Sequence, residues 1–242
     1  MGGWQVQAAR QLLNVTLDGP PPGHELLAAA KAVVAELGAA DRLLELVAEL
    51  ASGEGDPEGC ARLSYRHLLG FDKLLLVDCG PRHMLRAHIW HPGADAPGRE
   101  DIHNHRAVLA SYVVRGRLAM ELYEAGGDGG IEATRYREYL SSAPVADWLL
   151  EPAGTARLRL VHTGQYTAGS AYALPPHTLH RAWCDTDGPT VTLFLETGSR
   201  RRHHTDVFTA AGPHPEAVPK VPLREADYLA ALGSLAEMLR SS

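Results

Sequence analysis

The stretch from Leu74 to Thr197 is a succession of short segments with strand-like patterns, many of them bounded by Gly, Pro or Asp. So many short strands at close spacing predict an antiparallel β-sandwich or small barrel, because closure removes the exposed edges of a sheet. The predicted strands are Leu74–Val77, His83–Trp90, Val108–Arg115, Arg117–Tyr123, Thr134–Leu140, Arg157–His162, Ser170–Leu174, Leu179–Trp183 and Val191–Thr197.

Helical periodicity lies on both sides of this stretch. His24 to Gly38 and Asp41 to Ala51 carry apolar residues at helical spacing, and each predicts a helix that buries one stripe against the sheet. Asp56, followed by Pro57, predicts the N-cap of a short helix that runs to about Tyr65. Leu223 to Leu239 predicts a C-terminal helix. The expected organisation is a single domain: a helical segment over 1–66, a β-barrel over 67–210, and a tail and helix over 211–242.

Composition excludes several function classes. The net charge of −6 gives no attraction to phosphate backbones or anionic membranes, so nucleic acid is not expected as a partner. Cys60, Cys79 and Cys184 are widely spaced, which favours a reducing compartment over a disulfide framework. No apolar run has membrane-spanning length, and the N-terminus lacks a basic region followed by an apolar one. We therefore expect a cytoplasmic protein that does not act at a membrane.

Two histidine-containing stretches stand out as candidate metal ligands. His103 and His105 are two residues apart on a predicted strand, a spacing that puts both imidazoles on one face. A protein-bound divalent ion that takes part in chemistry needs at least three donors and keeps an open position. The expected source of the third is the stretch from Gly169 to Cys184, where His177 and His180 follow a strand and a turn.

The spacing of these residues resembles the two motifs of the cupin family. The first motif is matched by His103, His105 and Gly116, and the second by Gly169, Pro175 and His180. The resemblance implies a mainly β fold with flanking helices, in which a cupin-type antiparallel β-sandwich barrel (jelly roll) carries N-terminal helices and a C-terminal helix. It also implies that His103, His105 and His180 bind one metal ion, and that two such barrels can pair as a homodimer through edge strands.

Three positions depart from the family pattern. Leu109 stands where the family has a glutamate ligand, His177 replaces a turn glycine, and Cys184 replaces an asparagine. Without the carboxylate, the site resembles the three-histidine cupins, the type found in thiol dioxygenases similar to cysteine dioxygenase. His177 is interpreted as a residue at the rim of the substrate pocket, with direct contact to metal or substrate as the alternative.

A weaker resemblance to cysteine dioxygenase suggests substrate-binding residues. Arg66 precedes the first strands much as a substrate-binding arginine does in that family, and Trp90 ends a strand ahead of the histidine pair. If Trp90 faces inward, strand alternation turns Arg86 and His88 inward as well. The alternative has these three side chains meeting solvent, with the core formed instead by Leu85, Ala87 and Ile89.

Further positions are candidates for the pocket or for acid–base chemistry. Ser111 shares the parity of the two histidines and is expected to line the cavity beside Leu109. Phe194 and Glu196 stand where cysteine dioxygenase has the histidine and tyrosine of a hydrogen-bond relay, which argues against L-cysteine as the substrate. Glu196, inside an otherwise apolar strand, is a candidate acid or base, or else an exposed residue at a strand end.

Three neutral imidazoles leave a divalent iron with its full charge and one open face for a substrate donor and O2. The predicted function is therefore that of a mononuclear non-heme iron-dependent oxygenase, dioxygenase-like, that uses Fe(II) and O2. Its substrate would be a small polar molecule that chelates the metal and is oriented by Arg66, Arg86 or His88. Zn, Ni or Mn would fit the same ligands, which leaves open a non-oxidative isomerase or lyase with Glu196 or His88 as base. A non-catalytic ligand-binding cupin is the third possibility.

Overall fold

The computed structural model describes residues 3–19, 23–67, 70–93, 101–126, 129–139, 148–198, 203–210, 217–218 and 220–241. The helices are α1 (Trp4–Leu17), α2 (His24–Leu37), α3 (Ala40–Ala51), α4 (Pro57–Arg62) and α5 (Glu225–Arg240). The strands are β1 (Tyr65–Arg66), β2 (Phe71–Asp78), β3 (His83–Trp90), β4 (Ile102–His103), β5 (Leu109–Arg115), β6 (Arg117–Ala125), β7 (Ile131–Tyr139), β8 (Trp148–Thr167), β9 (Ala171–Leu174), β10 (Leu179–Cys184), β11 (Thr190–Thr197), β12 (His204–Thr209) and β13 (Ala217–Val218).

The strands form two antiparallel sheets. One has the order β1-β2-β3-β11-β5-β9, and the other has the order β13-β8-β6-β10-β4-β12-β7 with an added pairing between β8 and β7. Successive strands alternate between the two sheets from β3 to β6 and again from β8 to β11. Strand β7 interrupts this alternation, because it lies in the same sheet as β6 and β8, next to β12. This interleaving is the arrangement of a jelly roll. The predicted fold, a cupin-type antiparallel β-sandwich barrel with helices at both ends of the chain, is confirmed.

Local sequence explains where the helices start and what they cover. The Asp56 carboxylate accepts a hydrogen bond from the Gly59 backbone N–H at 2.9 Å, which caps α4 as predicted. This helix ends at Arg62, earlier than predicted, because Tyr65 already pairs with β2. Helix α2 packs on β5 and β9 as expected. The prediction for α3 is wrong, since α3 packs mainly against α5.

Strand β3 is covered on both faces, which combines the two alternatives drawn from the sequence. One face consists of Leu85, Ala87 and Ile89, which are buried in the cluster formed with the helices. The other face carries Arg86, His88 and Trp90, which line a cavity inside the barrel. The apolar face is thus a core face, and the polar and aromatic face meets a cavity.

The helix-packed core gives a direct stability prediction. Leu85 is fully buried between the sheet and the helices. We expect Leu85→Ala to lower the free energy of unfolding by about 2–5 kcal/mol, because it leaves a cavity that the packed helices cannot fill. Urea unfolding measures the change. Leu63→Ala, at an exposed leucine, is the control and should shift stability by about 0.5 kcal/mol or less. Equal effects of the two substitutions would contradict this assignment of the core.

Several strand boundaries differ from the sequence prediction. β8 extends over 20 residues, far beyond the predicted Arg157–His162, because it pairs with β6 along one half and with β7 along the other. β12 was not predicted as a strand, although it pairs with both β7 and β4. Among the described residues, the longest and most apolar helices still fall short of what crossing a bilayer requires.

Candidate metal centre and cavity

Three histidines converge inside the barrel. One ligand atom from each of His103, His105 and His180 lies within 4.8 Å of the others. His103 and His180 are directly paired residues of the neighbouring strands β4 and β10. His105 lies beyond the end of β4, where its backbone N–H donates to the Pro176 carbonyl at 3.2 Å. The predicted strand alternation therefore does not hold through His105, which is positioned by a loop contact instead.

Backbone carbonyls hold two of the three rings. His103 Nδ1 lies 3.1 Å from the Asp101 carbonyl oxygen, and His180 Nδ1 lies 3.3 Å from that of Thr178. Because a carbonyl only accepts, each Nδ1 carries the proton and leaves the lone pair on Nε2. His180 Nε2 lies 3.4 Å from His105 Nε2. Metal-binding histidines commonly donate their second ring N–H to a carbonyl in this way, which fixes the tautomer and the orientation of the ring.

Burial favours the neutral form of the three imidazoles. Burial lowers the pKa of His103, lowers that of His180 to about 3, and lowers that of His105 well below the usual range. Neutral imidazole is the form that binds metal, and imidazole donors suit Zn, Cu, Fe and Ni. The donor set therefore fits one divalent transition-metal ion, without selecting among these metals.

A hydrogen-bond network fixes the loop between the two neighbouring ligands. Asn104 is buried, and its side-chain NH2 donates to the Asp206 carboxylate at 3.0 Å. The Asp206 backbone N–H donates to Asn104 Oδ1 at 2.8 Å, and the Asn104 N–H donates to the Asp206 carbonyl at 3.1 Å. Arg135 donates twice to Asp206, at 3.0 and 2.7 Å. Sequence reasoning missed this network, although Asn104 stands between two candidate ligands and, once buried, needs a hydrogen-bond partner.

The histidines open onto a cavity of about 90 Å³. Its wall combines aromatic rings with basic side chains, and its lining residues are Tyr65, His67, Phe71, Lys73, Arg86, His88, Trp90, His103, His105, Tyr172, His180, Ala182, Thr192 and Phe194. A small molecule in this cavity would lie against the three imidazoles.

Aromatic stacking and one ion pair organise the β3 side of the cavity. The His88 ring is stacked between Phe71 and Phe194, with ring centroids 4.4 and 4.7 Å apart, and burial lowers its pKa well below the usual range. Arg86 donates to Glu196 at 2.6 Å, and both side chains are only 12% exposed. Glu196 is therefore an ion-pair partner of Arg86, and it is not among the residues that line the cavity.

The structure places four other predicted pocket residues outside the cavity lining. Arg66 is exposed and pairs with Asp72 at 3.0 Å, because alternation along β1 turns Tyr65 inward instead. His177 is exposed in the turn before β10. Leu109 and Ser111 point into the barrel and are buried, but neither borders the cavity.

The cavity contains functional candidates that sequence reasoning missed. Lys73 is only 9% exposed, and its ammonium or amine nitrogen donates to the Tyr65 hydroxyl at 3.1 Å. His67 stacks on Phe71 with ring centroids 4.4 Å apart. No local pattern marks Lys73 as a cavity residue, because it stands at the polar boundary of the apolar run that begins at Leu74, where the predicted strand also begins.

Comparison with known proteins finds low similarity only. No family model matches the chain, and no curated protein matches it. A structure of the DMSP lyases RdDddP and RnDddQII is 16% identical over 54% of this chain and 48% of its own, with a TM-score of 0.32. An RmlC-like cupin from Shewanella frigidimarina is 17% identical over 57% of this chain and 84% of its own, with a TM-score of 0.31. Cellulomonas parahominis L-ribose isomerase is 19% identical over 52% of this chain and 60% of its own, with a TM-score of 0.31. Cupins are thus among the solved structures similar to this chain, while its fold is assigned from its own strand order.

Proposed function

We propose that the protein is a mononuclear non-heme iron-dependent oxygenase, of the dioxygenase type, that acts on a small polar substrate able to chelate the metal. The observation that carries the proposal is the convergence of three imidazoles in the wall of one cavity. No carboxylate belongs to this group among the described residues. A divalent ion there would keep its full charge and favour an anionic chelating ligand.

In this proposal the ligands are His103, His105 and His180. Bound iron(II) supplies the redox chemistry that lets O2 react with an organic substrate. Arg86, His88 and Trp90 form the wall from which the substrate is oriented. His88 can donate or accept one hydrogen bond as a neutral imidazole, while Arg86 brings a positive charge that Glu196 partly balances.

A non-oxidative isomerase or lyase that uses Zn, Ni or Mn is the second candidate. It is favoured by one observation: the cavity wall contains basic side chains, Lys73 and His88, whose pKa values burial lowers well below the usual range, and such groups can move protons without any redox step. In this case His88 would serve as a base. Glu196 is less suited to that role, because its carboxylate is held by Arg86.

The test is metal analysis of protein purified without added metal or chelator, followed by oxygen uptake after anaerobic loading with iron(II). A panel of small thiols, α-hydroxy ketones and diketones supplies chelating substrates. We expect about one iron per chain and oxygen uptake that depends on one class of substrate. If the protein contains zinc, nickel or manganese and converts a panel compound without oxygen uptake, the second candidate replaces the oxygenase. Binding of a panel compound without turnover of any kind would identify a non-catalytic binding protein.

A further inference from the structure

Lys73 is one of the residues that line the cavity. Its β2 position pairs directly with Tyr65 of β1 on one side and with His88 of β3 on the other. The side chain is only 9% exposed and borders the same cavity as the three histidines. Its Nζ donates to the Tyr65 hydroxyl at 3.1 Å and lies 4.5 Å from the centroid of that ring. The hydrogen bond to Tyr65 thus holds the lysine nitrogen in the cavity wall.

The charged groups around Lys73 leave it without a carboxylate partner among the described residues. Glu196 of β11 is paired with Arg86 at 2.6 Å, and Glu138 of β7 is paired with Arg106 at 3.3 Å. Lys220 and the Arg86 guanidinium add positive charge nearby. Burial, with these cations, lowers the pKa of Lys73 well below that of an ordinary lysine, which favours the neutral amine.

A chelating substrate creates a need for such an amine. Three neutral imidazoles supply no negative charge, so a substrate whose donor atom bears a proton in water must lose it on binding the metal. A basic side chain in the cavity wall can take up this proton before it passes to solvent. His67 and His88 are weaker proton acceptors than an amine, because imidazole has a lower ordinary pKa than a lysine amine, and burial lowers the pKa of all three groups. Glu196 is committed to its ion pair with Arg86.

We propose that the Lys73 amine, positioned by the Tyr65 hydroxyl, accepts the proton that the substrate gives up when its donor atom binds at the three-histidine site. The bond between donor atom and hydrogen breaks, its electron pair stays on the donor atom, and a new N–H bond forms at Nζ. The total charge in the cavity does not change, and the ammonium that results stabilises the substrate anion. This inference rests on the proposed metal-dependent function. It selects chelators with a weakly acidic donor, such as hydroxamic acids, thiols or enolisable diketones.

The test counts protons released when a small chelator binds. The protein is loaded anaerobically with cobalt(II), whose visible spectrum reports both metal and ligand binding, and is titrated with acetohydroxamic acid. Calorimetry in two buffers of different ionisation enthalpy gives the number of protons passed to the buffer. We expect the wild-type protein to release close to none, because Lys73 retains the proton. Lys73→Met should release about one proton per chelator bound.

Lys73→Arg separates proton transfer from simple anion binding. Arginine stays protonated in proteins, so this variant should keep a cation in the cavity yet still release about one proton. Lys31→Met, at an exposed lysine of α2, is the matched control and should behave as the wild type. Release of about one proton by the wild-type protein itself would overturn the inference, whatever the variants do. Absence of stoichiometric cobalt binding to the wild type would instead reject the metal-dependent function, so the two failures are distinguishable.

Discussion

His180→Ala is expected to remove stoichiometric metal binding and, with it, any metal-dependent activity. His103 and His105 would remain, but two imidazoles do not hold a divalent ion in a protein site that also keeps open positions for chemistry. Elemental analysis after dialysis against metal-free buffer measures the loss. We expect metal content to fall from about one equivalent per chain to background, and His103→Ala should give the same result.

His177→Ala is the matched control for these substitutions. This histidine is only three residues from His180, but it is exposed in the turn before β10 and does not border the cavity. We expect the variant to keep its full metal content. Equal metal content in His103→Ala, His177→Ala and His180→Ala would defeat the ligand assignment.

Asn104→Ala is expected to weaken metal binding by about 10- to 100-fold without removing a ligand, the range found for residues that orient metal ligands. The asparagine side chain makes two hydrogen bonds to Asp206 and so fixes the backbone between His103 and His105. Competition with a chromophoric chelator measures the affinity. Gln165→Ala also removes an amide that donates to an aspartate, Asp185, but at an exposed site away from the histidines. Affinity should therefore be unchanged in this control. If Asn104→Ala lost stability but kept wild-type affinity, Asn104 would have no positioning role.

The elements that could be predicted are those whose determinants are local. Strand β3 has the predicted bounds, and the cap at Asp56 forms as the residue types require. The convergence of His103, His105 and His180 could be expected from their spacing, because the family resemblance supplied the long-range pairing of β4 with β10. Periodicity alone contains no information about which distant strands become neighbours.

The rest of the cavity depended on contacts between distant residues. In the sequence, Lys73 stands at the polar boundary of an apolar run. Only the pairing of β2 with β1 and β3 shows that it is a cavity residue. In the sequence, Glu196 is an isolated carboxylate. Its partner Arg86 lies more than one hundred positions away in the chain, and only the fold brings the two together. The prediction of Arg66 as a substrate-binding residue depends on the resemblance to cysteine dioxygenase. In the structure, alternation along a strand of only two residues turns Tyr65 inward and Arg66 outward.

The two faces of strand β3 have different roles. Leu85, Ala87 and Ile89 determine how well the helices hold, while the residues between them determine what the cavity accepts. Insertion or deletion of one residue in this strand would exchange the two sets and damage both roles at once. Point substitution, in contrast, can change the cavity at Arg86, His88 or Trp90 and leave the helix-facing side chains as they are. The contacts with the helices and the lining of the cavity are therefore encoded in alternate codons of the same strand.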